Sequence, residues 1–177
     1  MRVSYKSSRM NIDELAIKER NLYSSMKELG GTIEEKSDKA VYFGITKKYR
    51  EIHQEYSRLA KSDLEALKRG LFLTWYSIAE PTYLTGIAEL DEESEERIIK
   101  VLDRRLKINN TDFELDWMLD YYSDWDYVFE SFTDFKNFQN RLKSKSKTEL
   151  PNEIDRITME HRGQMGVYWN SLTRFNK

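Results

Sequence analysis

Apolar side chains recur three and four residues apart along almost the whole chain, and that spacing marks one face of an α-helix. With two prolines and seven glycines in 177 residues, turns are too few for an all-β fold. A chain of this length buries about 70% of the surface its unfolded form exposes, so one helical domain is expected. Aromatic residues, at 13%, supply much of the core of a chain that is only 39% hydrophobic.

The spacing predicts about seven helices in an all-α array, arranged as antiparallel hairpins. The first runs over 12–29 on Ile12, Leu15, Leu22, Met26 and Leu29, with Glu19 in the one gap of the stripe. Asn11 caps its start, and Gly30-Gly31 supplies a left-handed stop. A polar loop over 32–37 is expected next. Val41, Ile45, Tyr49, Ile52, Tyr56 and Leu59 then predict one helix from residue 38, with Gly44 inside it at a cost of about 1 kcal/mol.

Ser62 and Glu65 have the spacing of a capping box that restarts the helix, which runs to Ala79. Pro81 disfavours helical backbone at Glu80 and ends it. Residues 71–79 are apolar all round, which places them at the centre of the core. Five acids in 91–96 open a helix to about residue 107, where they meet the positive end of its dipole. Its stripe is Ile98, Ile99, Val101, Leu102 and Leu106.

Thr111 and Glu114 predict a second capping box for a helix to Tyr122, and Ser123 or Asp124 caps another to Lys143. Residues 144–150 read as a loop, and residues 1–10 as a flexible tail. Pro151 starts a last helix carrying Ile154, Ile157, His161, Met165, Tyr168 and Leu172.

Charge is distributed unevenly over this framework. Over 112–135, aspartate precedes an aromatic residue six times, at Asp112, Asp116, Asp120, Asp124, Asp126 and Asp134. The window carries eight acids, nine aromatics and no lysine or arginine, so it holds −8 while the chain totals −2. The remainder therefore carries +6. Concentrated acid beside aromatic rings is the chemistry that addresses a basic protein surface. The expected contact residues are Asp112, Asp116, Trp117, Asp120, Tyr121, Asp126, Tyr127 and Glu130.

A purely structural account fits the same residues. Acids suit the first turns of helices, and the rings can fill the core. Each aspartate pair four apart costs only about 0.2–0.5 kcal/mol, against about 1.5–3 kcal/mol from burying one large side chain. The pattern alone leaves open whether the rings are core or surface.

A second candidate site lies at the end of the apolar helix. Glu80 faces carbonyl oxygens there, with Trp75, Tyr76 and Tyr83 close in sequence, a setting for a ligand pocket or a general acid. Clustered carboxylates could alternatively hold Mg²⁺ in an enzyme. No nucleophile–base motif supports catalysis, and no cofactor or metal is expected. His53 and His161 fall on apolar stripes without a metal-ligand repeat, so both are expected to be core histidines. Gly163 and Gly166 suggest close helix crossing or a kink.

The absence of cysteine removes thiolate metal sites and disulfides. With no secretory signal and no apolar run near the roughly 20 residues of a membrane span, a cytoplasmic protein is expected. The near-neutral total speaks against nucleic acid as the partner. The sequence thus points to a non-enzymatic interaction protein, for example of inhibitor or immunity type. Homo-oligomerisation is left open.

Overall fold

The computed structural model describes residues 10–144 and 155–173. Ten α-helical segments and one 3₁₀ segment make up the described fold, with no strand among the described residues. Helix α1, Ile12–Glu28, begins where Asn11 Oδ1 accepts from the amides of Asp13 and Glu14, while Glu14 accepts in return from the Asn11 amide. Leu29 then leaves the helix in extended geometry, and only Gly31 of the glycine pair has positive φ, at 118°.

The expected polar loop over 32–37 is helical instead. Thr32 and Glu35 form a capping box that opens α2, Ile33–Tyr42. Gly44 then takes φ 69° and separates α2 from α3, Ile45–Leu59, so the single long helix expected here is two. Left-handed geometry at one glycine is cheaper than carrying that glycine inside a helix. The corner detaches Val41 from its expected stripe and leaves it 63% exposed, whereas Ile45, Tyr49, Ile52 and Tyr56 are buried.

Asp63, not Ser62, caps α4, Leu64–Ala79, by accepting from the amides of Glu65 and Ala66. Every residue from Ala66 to Trp75 is buried, so the expected central stretch 71–79 is core only up to Trp75. Tyr76, Ser77 and Ala79 are half-buried and Ile78 is exposed, because the helix end runs out beyond its neighbours. It packs against α3, α6, α10 and the 3₁₀ segment. After Pro81 comes a short α5, Thr82–Thr85, and then α6, Glu92–Lys107, capped by Asp91.

Helix α7, Phe113–Tyr122, is capped by Asp112 rather than Thr111. The long helix expected next is absent from the described residues. A 3₁₀ segment, Ser123–Phe132, bends at Trp125 and Phe129, and α8 covers only Lys136–Lys143. The last stripe is broken as well, into α9, Arg156–Glu160, and α10, Gly163–Thr173. Gly163 supplies the break with φ 63°.

A Cβ at Gly166 would collide with the carbonyl of Met159, so the two glycines allow both the turn and the close approach of α9 to α10. Pro151 and the loop over 145–150 lie outside the described residues, as do residues 1–9. Met10 is described and packs against the core. Buried apolar residues from α1 to α10 form one cluster. No helix among the described residues is long and apolar enough to cross a membrane.

Candidate functional site

The aspartate strip is divided by two internal cations. Lys68 on α4 reaches Asp112 at 2.7 Å and Glu114 at 2.5 Å. Arg141 on α8 reaches Asp120 at 2.7 Å and the carbonyl of Asp116 at 2.8 Å. Asp120 is consequently buried, at 7% exposure. Trp117, 2% exposed, packs edge-on against Trp169 with ring centres 4.7 Å apart. Trp117 is therefore core, while Asp112, Tyr127 and Glu130 are exposed and Asp116 is half-buried. The side chain of Asp126 lies outside the described residues.

Tyr121 goes elsewhere, and it joins the two sites that the sequence suggested separately. Its ring lies 5.7 Å from that of Trp75, which is buried at the end of α4. Its hydroxyl meets that of Tyr168, on α10, at 2.5 Å. Tyr76 stacks beside Trp75 and meets Tyr168 at 5.2 Å, and Trp125 meets Trp75 edge-on at 6.0 Å. Tyr127 lies 6.4 Å from Trp125. Four half-buried rings, Tyr76, Tyr121, Trp125 and Tyr168, thus surround a buried tryptophan.

Glu80 is half-buried at the edge of this cluster and makes no ion pair among the described residues. Its charge is felt by three phenols. Burial first, and then Glu80, raise the pKa of Tyr76 above the ordinary tyrosine value. Tyr121 is raised by burial and by the charges of Glu80 and Asp124, against the opposing hydrogen bond with Tyr168. Tyr168 is raised by burial, by Tyr121 and Tyr76, and by Glu80. Two carboxylates therefore impose negative potential on one aromatic face. Tyr83, on α5, makes no ring contact with it among the described residues. Tyr168 was readable in the sequence only as part of a core stripe.

Behind this face runs an ionic ladder that the sequence did not reveal. Arg162, 7% exposed, donates to Glu65 at 2.6 and 2.5 Å and to both carboxylate oxygens of Glu114. Glu65 also accepts from Arg69 at 2.8 Å. Burial pushes the Glu65 and Glu114 carboxyls up, but Arg162 and its neighbouring cations outweigh it and hold both below the ordinary value. Glu114 is thus drawn away from capping α7.

Elsewhere, an acidic concavity of about 460 Å³ lies between α6 and the end of the 3₁₀ segment, lined by Glu92, Glu95, Glu96, Ser131, Phe132, Asp134 and Phe135. Burial there, with Glu92 and Asp91 adding repulsion, pushes the Glu95 carboxyl up to about 7. His53 is fully buried, with Nε2 3.0 Å from Thr74 Oγ1, and burial brings it down to about 4, so it is a neutral core residue near neutral pH. His161 is exposed instead of core, because the α9–α10 break takes it off the stripe. Among the described residues, no three His, Asp or Glu side chains are placed to hold a metal ion. No protein-family model, curated protein or solved structure matches this chain.

Proposed function

We propose that the chain is a non-enzymatic interaction protein that presents an acidic-aromatic face to a basic partner. The face is centred on Tyr121 and carries Tyr76, Glu80, Trp125, Tyr127 and Tyr168. The observation that supports this reading is the half-buried Glu80, without an ion pair among the described residues, set beside phenol rings on which its charge acts. Ring faces and an adjacent carboxylate both attract an ammonium or guanidinium group, and desolvation at the rim strengthens that attraction. Blocking a basic enzyme is one form such an interaction could take. A small organic cation is the second reading, supported by the same rings around Trp75.

Affinity capture from the native cell tests the proposal, with wild type and a Glu80→Gln/Tyr127→Ala variant as baits. Tyr127 is 47% exposed, so the variant should keep the wild-type melting temperature. A basic protein enriched on wild type and lost from the variant is the expected result. Partners held equally by both baits, or partners without a basic surface, would overturn the reading. Dialysis against radiolabelled lysine, arginine and choline separates the small-cation reading.

A further inference from the structure

Glu19 and Asp120 are the buried carboxylates among the described residues, and they are treated differently by the fold. Asp120 has the guanidinium of Arg141. Glu19, 1% exposed, makes no ion pair among the described residues. It projects from α1 to the start of α10, where Oε2 accepts from the Gln164 amide at 2.9 Å. Gly163 leaves room for it, since a Cβ there would stand 2.5 Å from Oε1. A carboxylate from one helix thereby occupies the position that a capping side chain takes at the start of another.

The surroundings of Glu19 are mixed. On α3, Tyr56 donates its hydroxyl to Oε1 at 2.5 Å, and Tyr49 bonds the Glu19 carbonyl at 3.3 Å and Gln164 Oε1 at 2.5 Å. On α4, Arg69 attracts and Glu65 repels. Arg69 donates to Glu65 and to the carbonyl of Ile12 and also acts on the Tyr56 hydroxyl, so it reaches Glu19 through Tyr56 and not by direct contact. Arg162, just before α10, is held by Glu65 and Glu114. Burial is the largest influence and opposes charge on Glu19; Tyr56, the Gln164 amide and Arg69 favour it. The net result pushes the carboxyl up to about 7.

We propose that Glu19 is a protonation-controlled latch on α10: the neutral acid keeps the helix seated, and ionisation loosens it. A buried charge that no cation contacts directly regains hydration only if a neighbouring element lifts. Of the elements around Glu19, α10 is the shortest, with 11 residues, whereas α1, α3 and α4 have 17, 15 and 16. Helix α10 is the one that yields. Because it carries Tyr168, the latch also sets how firmly one ring of the partner-binding face is held, a consequence that rests on the function proposed above.

Amide hydrogen exchange of α10 on the free protein tests the latch without any partner. The seated form holds a proton that the lifted form releases near pH 4.5, so protection should decline as pH rises from there and level off above about 7. After correction for intrinsic rates, the decline should approach about tenfold per pH unit. Glu19→Gln should abolish the pH dependence. Tyr56→Phe removes a donor to the carboxylate, so the levelling-off should move to higher pH. Should Glu19→Gln fail to fold, the Tyr56→Phe shift and direct carbon-13 titration of the Glu19 carboxyl in wild type decide. Protection of α10 that is constant from pH 4.5 to 8, or a Glu19 titration near the ordinary carboxylate value, would overturn the proposal.

Discussion

Arg141 reaches Asp120 across the α7–α8 junction at 2.7 Å, and this contact takes the third aspartate of the strip into the interior. The side chains are 15% and 7% exposed, so the pair is largely shielded from water. Removing the guanidinium takes a close charge partner from a buried carboxylate. Arg141→Met should therefore cost about 3–5 kcal/mol in urea denaturation. Asp120→Asn, which keeps an acceptor, should cost less. Near-additive losses in a double-mutant cycle of Arg141→Met and Asp120→Leu would show that the two do not interact.

Trp75 contacts Phe72, Tyr76, Tyr121, Tyr122, Trp125 and Tyr168 through its ring and is 1% exposed. Trp75→Ala should destabilise by about 3–5 kcal/mol, through lost transfer energy and the cavity left behind. A denaturation midpoint unchanged by the substitution would contradict that placement.

Glu95 gives the folded protein a pH dependence of definite sign. Its carboxyl is pushed up to about 7, so between 4.5 and that value the folded state binds more protons than the unfolded state. The stability it contributes is present at acid pH and lost as pH rises through this window. Glu95→Gln should raise the melting temperature at pH 8, with the advantage shrinking to nothing below about pH 4.5. Calorimetry at several pH values checks this, and an equal shift at all of them would refute it.

Gly166 and Gly30 should respond oppositely to alanine. At Gly166 the new Cβ meets the Met159 carbonyl, a backbone group that moves only with α9. Gly166→Ala should cost about 1–3 kcal/mol despite its gain in helix propensity. At Gly30 nothing lies within 4 Å of the added carbon. Gly30→Ala should be neutral or stabilise by up to about 1 kcal/mol. Thermal melts of the two variants provide the comparison.

The helical class was legible because apolar periodicity, Asn11 and Pro81 all agree locally, but of residues 71–79, expected at the centre, only 71–75 are buried. Cap positions shift by one residue from the expected ones where two candidates stand side by side. Ser62–Asp63 and Thr111–Asp112 both resolve toward the carboxylate, the stronger acceptor at a positive helix end. The strip's division was not legible, because Lys68 and Arg141 lie 44 and 21 residues away from the aspartates they meet. Glu19 did leave a trace, as the one charge inside an apolar stripe. Its acceptor role depended on Tyr56 and Gln164, which no local pattern connects to it.

The two breaks in Ser123–Phe132 also set the direction of this part of the chain. Backbone at Trp125 and at Phe129 leaves helical geometry, so the segment turns twice instead of running on from α7 as one rod. Those turns bring α8 back into contact with α7. Rewinding the segment as one straight α-helix would carry Phe132 about 15 Å beyond Tyr122 along the α7 axis and part α8 from α7, and with it Arg141 from Asp120.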